Sequence, residues 1–470
     1  MNRETPAPSI EQQDGLPIPR RYWSVVGIWL ALTMAVLDGA IANVALPTIA
    51  RELGASPASS VWVINAYQLT ITILLLPLAA LGDRIGYKCI YLPGLAIFTI
   101  GSVGCALGHT LTLLIAARVF QGIGAACIMS MNAALVRATY PASMLGRGIG
   151  YNAMVLSMSA AIGPTLAALI LTVASWPWLF LINLPIGIAA LIVGRKSLPE
   201  PQGHGRPFDW PSAILSGAMM GCIVFGAEMF AREGAGIGIG LVVVGVASGS
   251  ALVWREWGVK APLMPLDLLR IPIFTLSIGA SIVSFAAQML AYTTLPFLLQ
   301  SVLGRSVFAT GLLITPWPIG VGIAAPIAGR MADRIPAGLL GGVGLAIFAV
   351  GLFLLSQLGA SPDNFEIAWR MAVCGVGFGL FQSPNNRTIV SAAPKPRSGA
   401  AGGMLATARL LGQTFGAVTV GVTFHLFGVG AGPELLLAAS VAALLAAGVS
   451  LLRLRVPPPG RVAVYKPILE

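Results

Sequence analysis

Leu81-Gly82-Asp83-Arg84-Ile85, followed by Gly94-Leu95-Ala96-Ile97-Phe98, returns 250 residues later. The second copy is Met331-Ala332-Asp333-Arg334-Ile335, followed by Gly344-Leu345-Ala346-Ile347-Phe348. In each copy an Asp-Arg pair sits between two long apolar runs, with the GLAIF segment at the same offset. An internal repeat of this kind in an apolar chain is the mark of a membrane transporter built from two halves around a central site.

Outward from the repeat, apolar runs recur from Trp23 to Leu452 with no polar block large enough for a soluble domain. The chain is 56% hydrophobic and 10% charged, with mean hydropathy +0.85. A soluble domain carries roughly 25% charged residues, so the 470 residues read as one integral membrane unit in the lipid bilayer. The net charge of +11 would point to nucleic acid in a soluble protein. Here the basic residues lie in short loops, where they set orientation, and no nucleic-acid partner is expected.

A helix crossing ~30 Å of hydrocarbon needs about 20 residues. Fourteen apolar segments of that kind run from 23–47 to 431–452. One span with its loop takes about 30 residues, so the repeat spacing holds about eight spans rather than six. Two extra helices must lie between the halves, and the segments within 210–254 are the candidates. The expected fold is all-α and polytopic: two six-helix bundles with two additional helices between them. Its divisions are an N-terminal tail (1–22), a first bundle (23–196), a linker with two helices (197–260), a second bundle (261–452) and a C-terminal tail (453–470). With the tail and the Asp83-Arg84 loop inside, most of the 28 Lys and Arg fall on the cytoplasmic face, Arg453 among them. Both termini are then cytoplasmic, and the expected location is the bacterial cytoplasmic (inner) membrane. Met1 to Arg21 lacks the apolar core of a signal peptide.

The five cysteines form no C-x-x-C and lie in or beside apolar runs, where they read as small buried hydrophobes. The three histidines are scattered. Neither a metal site nor a cofactor is expected, and no nucleophile–base set marks an enzyme. None of the five lysines follows a glycine, so a phosphate-cradling G-K-[ST] loop is absent. Transport by this chain alone would have to draw on an ion gradient.

Several stretches resemble the major facilitator superfamily, and within it the fourteen-span drug:proton antiporters. Leu37-Asp38-Gly39-Ala40-Ile41-Ala42-Asn43-Val44-Ala45-Leu46-Pro47 is similar to the antiporters' L-D-x-T-I-V-N-V-A-L-P. Leu81 to Lys88, with Gly82, Asp83, Arg84 and Gly86, looks like the superfamily's motif A. Leu114 to Ala126, with Arg118, Gln121-Gly122 and Gly124, looks like motif B. Gly163-Pro164 looks like the antiporter motif C, and Trp176 to Pro185 resembles W-R-W-x-F-x-x-N-x-P. Departures are Ala79 and Tyr87 in motif A, Ala167-Ala168 in place of Gly-Gly in motif C, and Pro177 in place of Arg. The resemblance implies secondary active transport by alternating access, with proton-coupled efflux of amphipathic drug-like or metabolite compounds. A proton symporter for a small nutrient, or a non-transporting sensor of the same fold, are the alternatives. Substrate identity and oligomeric state are not legible, although a monomer fits.

Two acids lie well within apolar spans, Asp38 and Glu228. An acid at the centre of a membrane helix costs at least ~2.5–3.5 kcal/mol, which makes it a functional-site candidate. Asp38 is expected to couple protons or substrate, or else to make a fixed structural ion pair; Glu228 reads as a snorkelling residue. Arg118 is the expected partner of Asp38, because in the superfamily fold spans one and four both face the central cavity. Arg409 either binds an anionic substrate group or pairs structurally with residues such as Gln382 and Asn385. Expected cavity residues are Asn43, Tyr67, Gln68, Gln288, Tyr292, Trp317 and Asn386, with Arg409. The resemblance assigns gating to Gly82, Asp83, Arg84, Gly86, Asp333 and Arg334, with Asp83 approaching a helix start near Ser398-Gly399 and Asp333 one near Gly146-Arg147. Gly163 and Pro164 would kink and seal span five.

Overall fold

The computed structural model of the chain describes residues 15–141, 144–199, 209–232, 235–257, 267–332, 334–359, 361–393 and 398–456. Among these residues the regular structure is entirely helical. The first half contains α1 (Arg20–Glu52), α2 (Pro57–Ser60), α3 (Trp62–Ile85), α4 (Tyr87–Ala106), α5 (Leu111–Thr139), α6 (Leu145–Val173), α7 (Trp178–Leu181) and α8 (Asn183–Ser197). Then come α9 (Trp210–Arg232) and α10 (Ala235–Glu256). The second half contains α11 (Pro272–Phe297), α12 (Val307–Ile314), α13 (Pro316–Met331), α14 (Ala337–Ser356), α15 (Asn364–Ala392), α16 (Ser398–Phe427) and α17 (Gly432–Leu452). The short helices α2, α7 and α12 run almost directly into α3, α8 and α13.

The repeat is written in the turns as well as in the Asp-Arg pair. Gly54 and Gly304 both take positive φ, +60° and +63°, with open space around them, so the backbone conformation rather than crowding calls for glycine. Two residues on, Ser56 and Ser306 each cap the next helix, accepting hydrogen bonds of 3.1 Å from the amides of Ser59 and Ala309. Both pairs are 250 residues apart, the spacing of the sequence repeat. The start of the first bundle is tied to its end: Arg20 Nη2 donates to the Leu198 carbonyl at 2.8 Å, satisfying an orphan acceptor beyond α8.

Among the described residues, twelve helices or broken helices are long and apolar enough to cross a membrane, and the protein is a multi-pass membrane protein. The fourteen segments of the sequence reading add α9 and α15. The apolar stretch of α9, Trp210–Gly226, is shorter than the twelve spans. Glu366, Arg370, Gln382 and Asn385 lie along α15 and lower its hydropathy.

The two halves pack alike. In the first, α1 lies against α6 and α8, and α5 against α3 and α4. In the second, α11 lies against α16 and α17, and α15 against α13 and α14. Close approach depends on glycine at matching places. A Cβ on Gly124 of α5 would collide with the α4 backbone at Gly94 and Phe98. A Cβ on Gly377 of α15 would collide with the α14 backbone at Gly344 and Phe348. The seam between the halves joins α1 to α11, α6 to α12 and α13, and α3 to α16. Helices α9 and α10 form a hairpin outside this body, and α9 rests on both α3 and α16. Leu69, Val224 and Val418 make a small apolar cluster there.

Candidate functional site

Asp38, on α1, is 1% exposed and Arg118, on α5, is fully buried. Arg118 Nη1 donates to Asp38 Oδ2 in a buried ion pair. Its Nε donates to the Val63 carbonyl at 2.9 Å, and Nη1 also reaches Gln121 Oε1 at 2.7 Å. The other carboxylate oxygen, Oδ1, accepts from Gln121 Nε2 at 2.9 Å and from Asn183 Nδ2 at 2.8 Å. Ser102 Oγ closes the ring, accepting from Gln121 Nε2 at 2.8 Å. The Tyr67 ring lies over the guanidinium at 4.0 Å, and its hydroxyl donates to the Ala35 carbonyl at 3.1 Å. Three helices, α1, α5 and α8, therefore meet on one carboxylate, and α3 and α4 join through Arg118, Gln121 and Asn183. Sequence reading paired Asp38 with Arg118, but Gln121, Asn183 and Ser102 were not assigned to the acid. Gln121 follows Arg118 by three residues, which puts both on one helical face. Asn183 was visible only inside a family-like stretch, and Ser102 carried no signal.

Beside this ion pair lies a cavity of about 200 Å³ between the halves. Of the residues expected in it, Asn43, Tyr67, Gln68, Gln288, Tyr292 and Arg409 line its wall. Trp317 and Asn386 do not. Trp317 is fully buried behind the wall, with its ring 4.7 Å from that of Tyr292. Asn386 sits elsewhere on α15, partly exposed. Of the two residues weighed in the sequence as structural partners of Arg409, Gln382 itself faces the cavity, as does Gln413, whereas Asn385 is buried and accepts from Arg453. Asp38 is absent from the wall although its α1 neighbours Gly39 and Ala40 are part of it. Tyr67 belongs to both places, lining the cavity and lying with its ring against Arg118.

The motif A turn is built locally. Gly86 has φ +97°, which a side chain would strain, and its amide closes α3 on the Gly82 carbonyl at 2.8 Å. A Cβ on Gly82 would meet the Met131 side chain. Tyr87, where the family pattern has Arg, donates from its hydroxyl to Asp83 Oδ1 at 2.9 Å. Asp83 and Arg84 are exposed on the last turn of α3. Helix α16 begins at Ser398 and packs along α3. Asp333 lies outside the described residues, as do the side chains of Arg147, Glu228 and Ser398; Arg334 is exposed in the turn after α13.

Gly163 and Pro164 sit where α6 is squeezed between the halves. A Cβ on Gly163 would collide with Ala40 of α1. On the opposite face, Gly311 of α12 leaves room for the Pro164 carbonyl and the Ala168 methyl. Where the resemblance leads one to expect Gly-Gly, this chain has Ala167-Ala168, and Gly311 leaves room for the Ala168 methyl. Thr165 and Thr315 hydroxyls lie 2.6 Å apart across the same seam.

Arg453, read from the sequence as a loop charge, is instead 4% exposed. Its Nη1 donates to Ser277 Oγ at 3.0 Å and Asn385 Oδ1 at 2.6 Å, and Nη2 donates to Ser450. It ties α17 to α11 and α15 without a carboxylate. Cys105, Cys127 and Cys374 are buried, Cys222 is half-buried and Cys89 is exposed.

Two helical halves with a cavity at their seam and a buried charge pair beside it define a membrane transporter. The Major Facilitator Superfamily profile matches residues 28–417 and again 276–466, and the chain belongs to that family. Family membership makes it a transporter and not an enzyme. It is 51% identical to "Uncharacterized transporter YebQ" of Escherichia coli (strain K12), over 95% of this chain and 98% of that one. It is 30% identical to "Riboflavin transporter RibZ" of Clostridioides difficile (strain 630), over 84% of this chain and 87% of the other. With "Multidrug efflux pump LfrA" of Mycolicibacterium smegmatis it shares 29% identity, over 87% and 82% of the two chains. Among solved structures, the fold is similar to a bacterial homologue of the human lysosomal transporter Spinster in an inward-facing, unoccupied conformation. The TM-score is 0.65 at 16% identity, over 94% of this chain and 98% of that one.

Proposed function

We propose that the chain is a proton-coupled exporter of the fourteen-span drug:proton antiporter type, with α9 and α15 counted among its spans. It would sit in the bacterial cytoplasmic membrane with both termini inside and exchange protons for amphipathic drug-like or metabolite compounds. The reading rests on one observation above others: a carboxylate, Asp38, held out of water by Arg118, Gln121 and Asn183 one residue layer from the cavity. The efflux pump among the relatives supports the direction.

The chemistry follows from the ring of donors. An ionised Asp38 accepts from three side chains drawn from α5 and α8, so its charge fixes those helices on α1. Adding a proton removes the charge that holds Arg118 and one acceptor site for the amides. Because Gly39, Ala40 and Asn43 continue from Asp38 along α1 into the cavity wall, rearrangement at the acid reaches bound cargo through α1 itself. Tyr67 is the partition that a proton must pass. The contacts of α1 with α11 and of α6 with α12 form one seal; the Asp83 turn against the start of α16 forms the opposite latch. A carboxylate at a helix start contributes ~0.3–1 kcal/mol, up to ~2 when partly buried, enough to bias an equilibrium without locking it.

The test is transport in proteoliposomes under an imposed pH gradient. Asp38→Asn keeps the shape of the site and is expected to abolish gradient-driven movement while the protein still folds. Undiminished gradient-driven transport by that variant would place the proton elsewhere.

A further inference from the structure

We infer that the cavity is a site for amphipathic anions and that Arg409 is the residue that selects them. The inference rests on the export reading only in taking the cavity as the place where cargo sits. Arg409 projects from α16 into the wall, and among the described residues it is the one with a formal charge lining the space. It has no carboxylate within ion-pair distance and no hydrogen-bond partner among the described residues, and its Nε is buried without one. Arg409 is half-buried, whereas the buried arginines are matched: Arg118 by Asp38, and Arg453 by Ser277, Asn385 and Ser450.

A guanidinium removed from water without a counter-ion is costly, and the cost is relieved when an anion arrives. Its planar fork pairs with a carboxylate, sulfonate or phosphate through two parallel hydrogen bonds. Gln413, one turn along α16, and Gln288 and Gln382 add amide groups that can turn their NH2 toward the same anion. Tyr292 and Phe285 supply flat apolar surface for the rest of the molecule. Among the described residues no acid lines the cavity, so a cationic compound would meet an uncompensated positive charge in a low-dielectric space. The cargo that fits is therefore a flat, largely apolar body bearing one anionic group.

The test compares 2-naphthoate with 2-naphthamide, which share a body and differ in charge. Binding is measured by isothermal titration to the full chain in phosphatidylcholine nanodiscs, with empty nanodiscs as blank. Wild type should prefer naphthoate, and Arg409→Gln should weaken naphthoate by about 30-fold or more while leaving naphthamide within about threefold. Arg409→Lys, which keeps the charge and loses the fork, should retain the preference at reduced affinity; the melting temperature of each variant reports folding. Equal affinity for the two probes, no saturable naphthoate binding to wild type, or a preference that persists in Arg409→Gln would each overturn the assignment. No pH gradient is present, so these outcomes leave proton coupling alone. Asp38→Asn with lost gradient-driven transport and intact naphthoate preference would separate the two readings from the other side.

Discussion

The two halves place different chemistry on the same backbone. In the first, Gly101 of α4 faces Gln121 of α5, and a Cβ there would lie 2.7 Å from the Gln121 Cα. In the second, Gly351 of α14 faces Cys374 of α15, and a Cβ there would lie 2.6 Å from Cys374 Sγ. Gln121 thus corresponds to Cys374, and Arg118, three residues earlier, to Met371. By the 250-residue offset Tyr67 corresponds to Trp317 and Ser102 to Leu352. Where the first half buries a charge pair with its amides, the second buries Met371, Cys374, Trp317 and Leu352. The second half's own buried arginine, Arg453, is held by hydroxyls and an amide, none of which titrates near neutral pH. The difference teaches that helix crossings follow from the fold and are duplicated, whereas among the described residues the fully buried ion pair belongs to one half.

The largest test of this asymmetry is to give the first half the apolar filling of the second. Arg118→Met alone leaves the Asp38 carboxylate buried and unpaired, and is expected to destabilise the protein by about 3–5 kcal/mol. Adding Asp38→Leu should recover most of that loss, because an apolar pair of similar volume often replaces a buried ion pair at no net cost. Gradient-driven transport should stay absent in the double variant. Thermal unfolding in detergent checks the first part; a double variant no more stable than Arg118→Met would mean that the polar ring, and not the lone charge, holds the helices.

The second test concerns what the halves share. Gly124→Ala and Gly377→Ala each force a methyl into a facing helix, and each is expected to cost about 1–3 kcal/mol. Comparable losses on thermal unfolding would show that the crossings are equivalent. A loss confined to one half would break the correspondence drawn above.

The smallest effect is expected where the second half is simply core. Met371→Leu conserves volume and should cost less than about 1.5 kcal/mol. The pH profile of transport should be unchanged, as measured in the same proteoliposomes. A shifted profile would extend the proton pathway into the second half.

Much of this architecture was legible in the chain. The Asp-Arg repeat and the apolar runs announced two related helical halves, because helix length and hydrophobicity are local properties that the bilayer demands of each span separately. Spacing called for two extra helices near 210–254, where α9 and α10 lie. The polar character of α15 was harder to weigh, since hydropathy counts residues without knowing which face the protein interior covers. Asp38 and Arg118 stood out because an ionisable group in an apolar run is expensive wherever it sits. Gly163 and Pro164 were visible through their resemblance to the antiporter motif C.

What the sequence by itself determined is thus the class of fold, the two-half plan and the handful of charged residues stranded within apolar helices. Only the tertiary structure decided their partners: that Asn183, 145 residues away, shares a carboxylate oxygen with Gln121, that Arg453 is interior, that Trp317 stands behind the cavity wall, and that Arg409 faces the cavity without a counter-ion. The physical reason is that desolvation is a property of a residue in its span, readable from neighbours in sequence. Which groups compensate that desolvation depends on how separate helices cross, and those crossings are fixed by glycine-sized contacts between segments far apart in the chain.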